Sequence, residues 1–244
     1  MLLGTLAAAA VLPAAGGAGR AGRAGLPPSL RGSEVTRLPT GAKHVALTFD
    51  GGSNDGGAFS ILRTLARDHV AATFFLTGRW ADTYPGLARR IGRTYLVGNH
   101  TLDHPHLTRL DANAVRREIT AAARLIRSRA GVDPLPLFRF PYGDADARTI
   151  SIANSLGYVA VRWTVDTLGW EGRAAGSRAD LVRRVLRRLQ PGAIVLMHLG
   201  RGPDGTTPDA DALPSLIAVL RARGYALVTL GSLRARARAG AGSR

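Results

Sequence analysis

In the segment NHTLDHPH, His100 and His104 stand four positions apart. On a helical turn that spacing puts two side chains on one face, so both imidazoles can reach a single cation. Zinc takes such nitrogens readily, and imidazole with water also accepts cobalt, manganese or nickel. A carboxylate beside such an ion can take a proton from water, whose pKa the ion lowers to around 7. Asp50 suits that role of general base. It ends the apolar run HVALTF and precedes two glycines, so the chain turns sharply where the side chain is presented. Arg139, between Phe138 and Phe140, is in a setting that disfavours full exposure and can pair with Asp50, holding it ionised and oriented. Pro141-Tyr142-Gly143 makes a tight turn whose N–H groups can point at a developing oxyanion. His198 closes AIVLMH as a candidate general acid for a departing amine, with Asp166 to hold its charge or tautomer. Each has a plainer reading: Asp50 as a turn former, Arg139 as a surface residue, His198 as a buried, satisfied histidine. His106 is read as a surface or supporting residue, and His44 and His69 as structural.

Residues so far apart need a scaffold that gathers them. Seven apolar runs of strand length appear: HVALTF, AATFFLTG, TYLVGN, PLFRF, GYVAVRWTV, AIVLMH and YALVTL. Helical periods fall near residues 57–68, 84–92, 111–130, 146–156, 178–189 and 211–223. In the third, Val115, Ile119, Ala122, Leu125 and Ile126 recur at helical spacing, and Asp111 is a plausible N-cap. This alternation predicts an α/β fold with a parallel sheet, open or closed into a barrel. Asp50, NHTLDHPH, RFPYGD, DTLGW and His198 all sit at the C-terminal ends of strands. In parallel α/β folds those ends converge on one face, where loops build the site.

The chain of 244 residues reads as one domain over about 42–232. Its net charge of +16 is almost wholly arginine, since Lys43 is the only lysine. The charge suits acidic polymers, anionic lipid or nucleic acid, but the arginines are scattered and no nucleic-acid motif accompanies them. Compositional inflation of Ala, Gly and Arg together is the plainer and preferred account. The absence of cysteine excludes disulfides, thiolate metal sites and cysteine nucleophiles. Residues 1–30 read as an export signal or low-complexity leader, too short an apolar run for a membrane span. Residues 233–244 read as a frayed basic tail.

The ordered segments TFDGG, HTLDH, RFPYG, DTLGW and LMH resemble the five motifs of the polysaccharide deacetylases, the NodB-like carbohydrate esterase family, over roughly residues 43–230. The resemblance implies a distorted (β/α) barrel of about seven parallel strands that removes N- or O-acetyl groups from sugar polymers. It implies a divalent metal, most often zinc, on His100 and His104. By position Asp50 matches the base, Thr101 a residue bracing the loop, Arg139 the arginine that orients the base, and the Tyr142 N–H the oxyanion donor. Asp166 and Trp170 match the fourth motif, the tryptophan walling the groove. Leu196 and His198 match the fifth, a pocket leucine and the general acid. Two departures stand out. Gly51 occupies the place where the family usually has an aspartate as third metal ligand, leaving Asn54, Asp55 or water to supply an oxygen. Gly169 stands where a second aspartate is common in the fourth motif. The expectation is a secreted or envelope-associated, metal-dependent enzyme acting on N-acetylhexosamine units of an acetylated cell-wall polysaccharide. The alternative is a glycan-binding protein without catalysis.

Overall fold

The computed structural model describes residues 26–239. Its strands are β1 (His44–Gly51), β2 (Thr73–Leu76), β3 (Leu96–Asn99), β4 (Leu137–Phe138), β5 (Val159–Ala160), β6 (Val165–Asp166), β7 (Ala193–His198) and β8 (Ala226–Val228). All pair in parallel, in the order β5-β4-β3-β2-β1-β7-β6. One edge of β1 pairs with β7; the other takes β8 at its start and β2 at its end. The helices are α1 (Ala58–Arg67), α2 (Gly78–Thr83), α3 (Pro85–Thr94), α4 (Ala112–Ala130), α5 (Ala147–Ser155), α6 (Arg178–Arg188), α7 (Pro208–Ala222) and α8 (Gly231–Ala239).

Strand alternation divides the core in two. Val45, Leu47 and Phe49 of β1 pack outward with Ile61, Leu65, Leu213 and Ile217 of the helices. Ala46 faces inward, in a separate cluster with Phe75, Leu137, Val159 and Ile194 that fills the barrel interior. In α4 the side chains of Val115, Ile119, Ala122 and Ile126 are buried, and Asp111 caps the helix by accepting the Ala114 N–H at 2.8 Å.

The expected strand GYVAVRWTV divides into β5 and β6, so seven apolar runs yield eight strands. The reason lies in the site: the carbonyls of Val161 and Arg162, at the break, accept hydrogen bonds from the Arg139 guanidinium at 3.4 and 3.2 Å. A ladder cannot run through carbonyls turned to a side chain. The strap at residues 35–38 bridges the resulting seam, with Val35 paired to Val161 and Arg37 to Ala193.

The expected ends of the domain also move. Residues 1–25 of the leader and 240–244 of the tail lie outside the described residues. Leu26 and Leu30 are buried in the interior cluster, so the folded part begins before residue 42. The supposed tail forms α8, which buries Leu233 and Ala237 in the same cluster. Among the described residues no helix is long and apolar enough to cross a membrane.

Candidate active site

Asp50 and His198 are Cα partners at the ends of the neighbouring strands β1 and β7. Asp50 points inward at the rim and is nearly fully buried. Arg139, just beyond β4, donates from Nη1 to Asp50 Oδ1 at 2.7 Å and lies over the Phe75 ring, 4.1 Å from its centroid. Burial works to raise the Asp50 carboxyl, but the Arg139 charge, helped by His100 and His198, outweighs it and leaves the group below its ordinary range.

His100 and His104 converge, though not on a helical turn. They stand in the loop after β3, where Thr101 and His104 both adopt left-handed backbone, at φ of 70° and 62°. For a β-branched residue such as Thr101 that conformation is a genuine outlier, and it persists only where the surroundings over-determine it. Here they do. Asn99 Oδ1 accepts the Thr101 N–H, Thr101 Oγ1 accepts the His104 N–H, and Glu118 Oε2 accepts the N–H groups of Leu102 and Asp103. The first N–H groups of α2, from Gly78 and Arg79, donate to the carbonyls of Thr101 and Leu102. The sequence carries no local signal for Glu118, and for Asn99 only its place directly before His100.

The two Nε2 atoms lie 3.1 Å apart, and His100 Nε2 is 3.4 Å from Asp50 Oδ2. His100 Nδ1 is 2.9 Å from the Arg139 carbonyl, which can only accept, so Nδ1 carries the proton and Nε2 a free lone pair. Burial lowers the pKa of both rings, that of His104 to about 3 with His100 adding to the effect, so both are neutral near pH 7. Two neutral, converging imidazoles are the donors a borderline cation needs, so the pair fits two positions of such an ion. Among the described residues no group of three His, Cys, Asp or Glu side chains is arranged to hold a metal ion. A Cβ at Gly51 would point to Leu199, Leu76 and Trp80, at 3.0, 3.0 and 3.3 Å, on the helix-packed face. Asn54 is occupied, its Oδ1 accepting the N–H groups of Gly56 and Arg201, and Asp55 does not line the cleft.

The cleft over these residues has a volume of about 670 Å³ and is also lined by Phe140, Tyr142, Trp163, Asp166, Trp170 and Leu196. Tyr142 and Trp170 stand on its rim, 59% and 50% exposed. Tyr142 adopts φ 61° in the one-turn 3-10 segment Pro141–Gly143. Its ring stacks on His106 with centroids 4.1 Å apart and meets His104 edge-on at 4.6 Å. His106 therefore supports the rim, and its Nδ1 lies 2.9 Å from Asp144 Oδ2. The Tyr142 N–H belongs to the opening turn, whose donors have no partner within the helix.

The acid against His198 is Asp209, for which the sequence carries no local signal, and not the expected Asp166. Asp209 Oδ2 accepts the His198 N–H at 2.8 Å and lies 3.4 Å from Nδ1. Asp166 lines the cleft, but its Oδ1 is engaged by the Leu168 N–H at 2.8 Å. Among the described residues it makes no ion pair with His198. Burial pushes the His198 imidazole down; Asp209 foremost, then Asp50 and Asp166, pull it up and prevail, leaving it above its ordinary value.

Comparison with known proteins fits this geometry. The sequence profile of the polysaccharide deacetylase family matches residues 37–161. The chain is 33% identical to a peptidoglycan-N-acetylglucosamine deacetylase of Bacillus cereus, over 80% of this chain and 70% of that one. It is 37% identical to a chitooligosaccharide deacetylase of Bradyrhizobium, over 80% and 92% of the two. Its fold matches a CE4 family pseudoenzyme from Bacillus anthracis with a TM-score of 0.75 and 30% identity, over 83% and 69%. With the profile spanning the strand ends that carry Asp50, His100, His104 and Arg139, and with a third of the residues shared along most of the chain, this protein belongs to the polysaccharide deacetylase family.

Proposed function

We propose that this chain hydrolyses the acetamide of N-acetylhexosamine units in a cell-wall polysaccharide, peptidoglycan- or chitin-like, releasing acetate. The observation that carries this reading is the arginine-held Asp50 beside a second titratable group, His198, of opposite tendency, on adjoining strand ends. One group held as the base and one as the acid is the division of labour that acyl transfer requires. The names of the curated relatives supply the substrate class. Such a substrate lies outside the membrane, so the reading includes secretion or attachment to the envelope.

In this reading the rim aromatics Tyr142 and Trp170 stack against sugar rings, and Leu196 shapes the pocket for the acetyl methyl. Water attacks the acetyl carbonyl while Asp50, held by Arg139, takes its proton. The Tyr142 N–H faces the oxyanion. His198 then gives its proton to the departing nitrogen, so the C–N bond breaks to yield acetate and a free amine. His100 and His104 would hold a divalent cation, most often zinc for such donors. When bound, it supplies Lewis-acid polarisation and lowers the pKa of water.

The test is acetate release from chitooligosaccharides with zinc present. The Asp50→Asn variant should lose it while keeping its circular-dichroism spectrum; full activity in a folded variant would overturn the mechanism. A second reading, a glycan-binding protein without catalysis, draws on the missing third ligand and on the Bacillus anthracis pseudoenzyme, a mutant of which has restored activity. Metal-free, inactive protein that still binds chitooligosaccharide would favour it.

A further inference from the structure

We propose that Asp209, from the first turn of α7, is the positioning residue for His198, and that Gly169 is the vacancy that lets its carboxyl in. The inference rests on the reading of His198 as the acid, and its test is built to fail separately from that reading.

Asp209 is 2% exposed, although acids are almost never fully buried unless paired. Among the described residues its one ion-pair partner is His198, whose Nδ1 lies 3.4 Å from Oδ2, the same oxygen that accepts the His198 backbone N–H at 2.8 Å. The remaining buried polar atoms, Asp209 Oδ1 and His198 Nδ1, have no hydrogen-bond partner. Leaving such atoms unmet is costly, and catalytic hydrogen bonds that are long in the free protein tighten when substrate binds. The space that Asp209 occupies is space that a side chain at Gly169, on the facing loop, would fill. A Cβ built on Gly169 would overlap the Asp209 carboxyl carbon and both of its oxygens. Only a residue without a side chain permits the acid to enter from α7, so Gly169 and Asp209 form a complementary pair. With Nδ1 turned to Asp209, the imidazole offers Nε2 to the cleft, where a leaving nitrogen would stand.

The groups facing His198 are Asp50 from β1, Asp166 from β6, Asp209 from α7, and His100 and His104 from the loop after β3. Nitrogen-15 NMR titration of the His198 ring in the full chain separates them without an activity assay. Asp209→Asn should move its midpoint down by about one pH unit or more, and Asp166→Asn by less. Gly169→Ala should act in the same direction with the acid still present, by displacing its carboxyl, and covers the case in which Asp209→Asn does not fold. In acetate release, Asp209→Asn should lower kcat by about a hundredfold with little change in KM. The pair Gly169→Asp with Asp209→Ala should regain part of both readouts, since a carboxyl then enters from the other side. A His198 midpoint that responds as much to Asp166→Asn as to Asp209→Asn, or that Gly169→Ala leaves unmoved, would overturn the proposal. A wild-type protein without acetate release but with the Asp209-dependent titration would sink the enzymatic reading and leave the pairing standing.

Discussion

At the scale of single residues, the decisive choice is the burial of a charge pair at the rim of the sheet. Arg139 is wholly inaccessible and Asp50 nearly so, yet each satisfies the other at 2.7 Å. Removing one partner of such a pair leaves an uncompensated buried charge. Arg139→Met should therefore cost about 3–5 kcal/mol in urea denaturation, and adding Asp50→Asn should recover part of that loss. The types and order of these residues were legible in the sequence, because strand ends in a parallel sheet are where polar side chains collect. Asp209 was not legible. It follows His198 by a loop of irregular structure, and no periodicity ties the start of α7 to the fourth motif.

At the scale of elements, the loop after β3 and the segment before α6 are each pinned by one carboxylate. Glu118 of α4 accepts two N–H groups of the histidine loop at 3.0 Å. Glu118→Ala leaves both without that acceptor and frees the left-handed turn. On the proposal that His100 and His104 hold a cation, zinc retention on dialysis should fall, with a stability loss of about 1–3 kcal/mol. In the other segment Asp204 accepts the hydroxyl and N–H of Thr206 and the N–H of Arg173. These bonds, the Thr206 hydroxyl first, hold its carboxyl down at about 2. A depressed acid stabilises the fold in full above its unfolded value of about 4, and the contribution vanishes as pH falls through about 2. A carbon-13 titration of Asp204 should show that low midpoint, and Thr206→Ala should raise it.

At the scale of the whole molecule, the lower end of the barrel is closed by the segments furthest apart in the chain. Leu26 and Leu30 from one terminus and Leu233 and Ala237 from the other meet in the interior cluster under Phe75 and Ile194. Leu233→Ala should cost about 2–5 kcal/mol, read as a lowered urea midpoint, even though it lies in what reads as a basic tail. Sequence pattern missed α8 because arginines at alternate positions mask a helix with only two buried side chains. Burial by a distant terminus overrides that local reading.

Alternating apolar runs and helical periods by themselves determined a parallel α/β sheet with its polar residues at one end, since side-chain period is a local property of the backbone. They also determined which acid, arginine and histidines stand at the strand ends. Only the tertiary structure decided how those groups meet. The two imidazoles converge through strained loop backbone held by Asn99 and Glu118. GYVAVRWTV breaks because Arg139 takes its carbonyls, and His198 faces Asp209 because Gly169 leaves room. Each of these depends on contacts between segments far apart in sequence, where no local pattern carries information about distance.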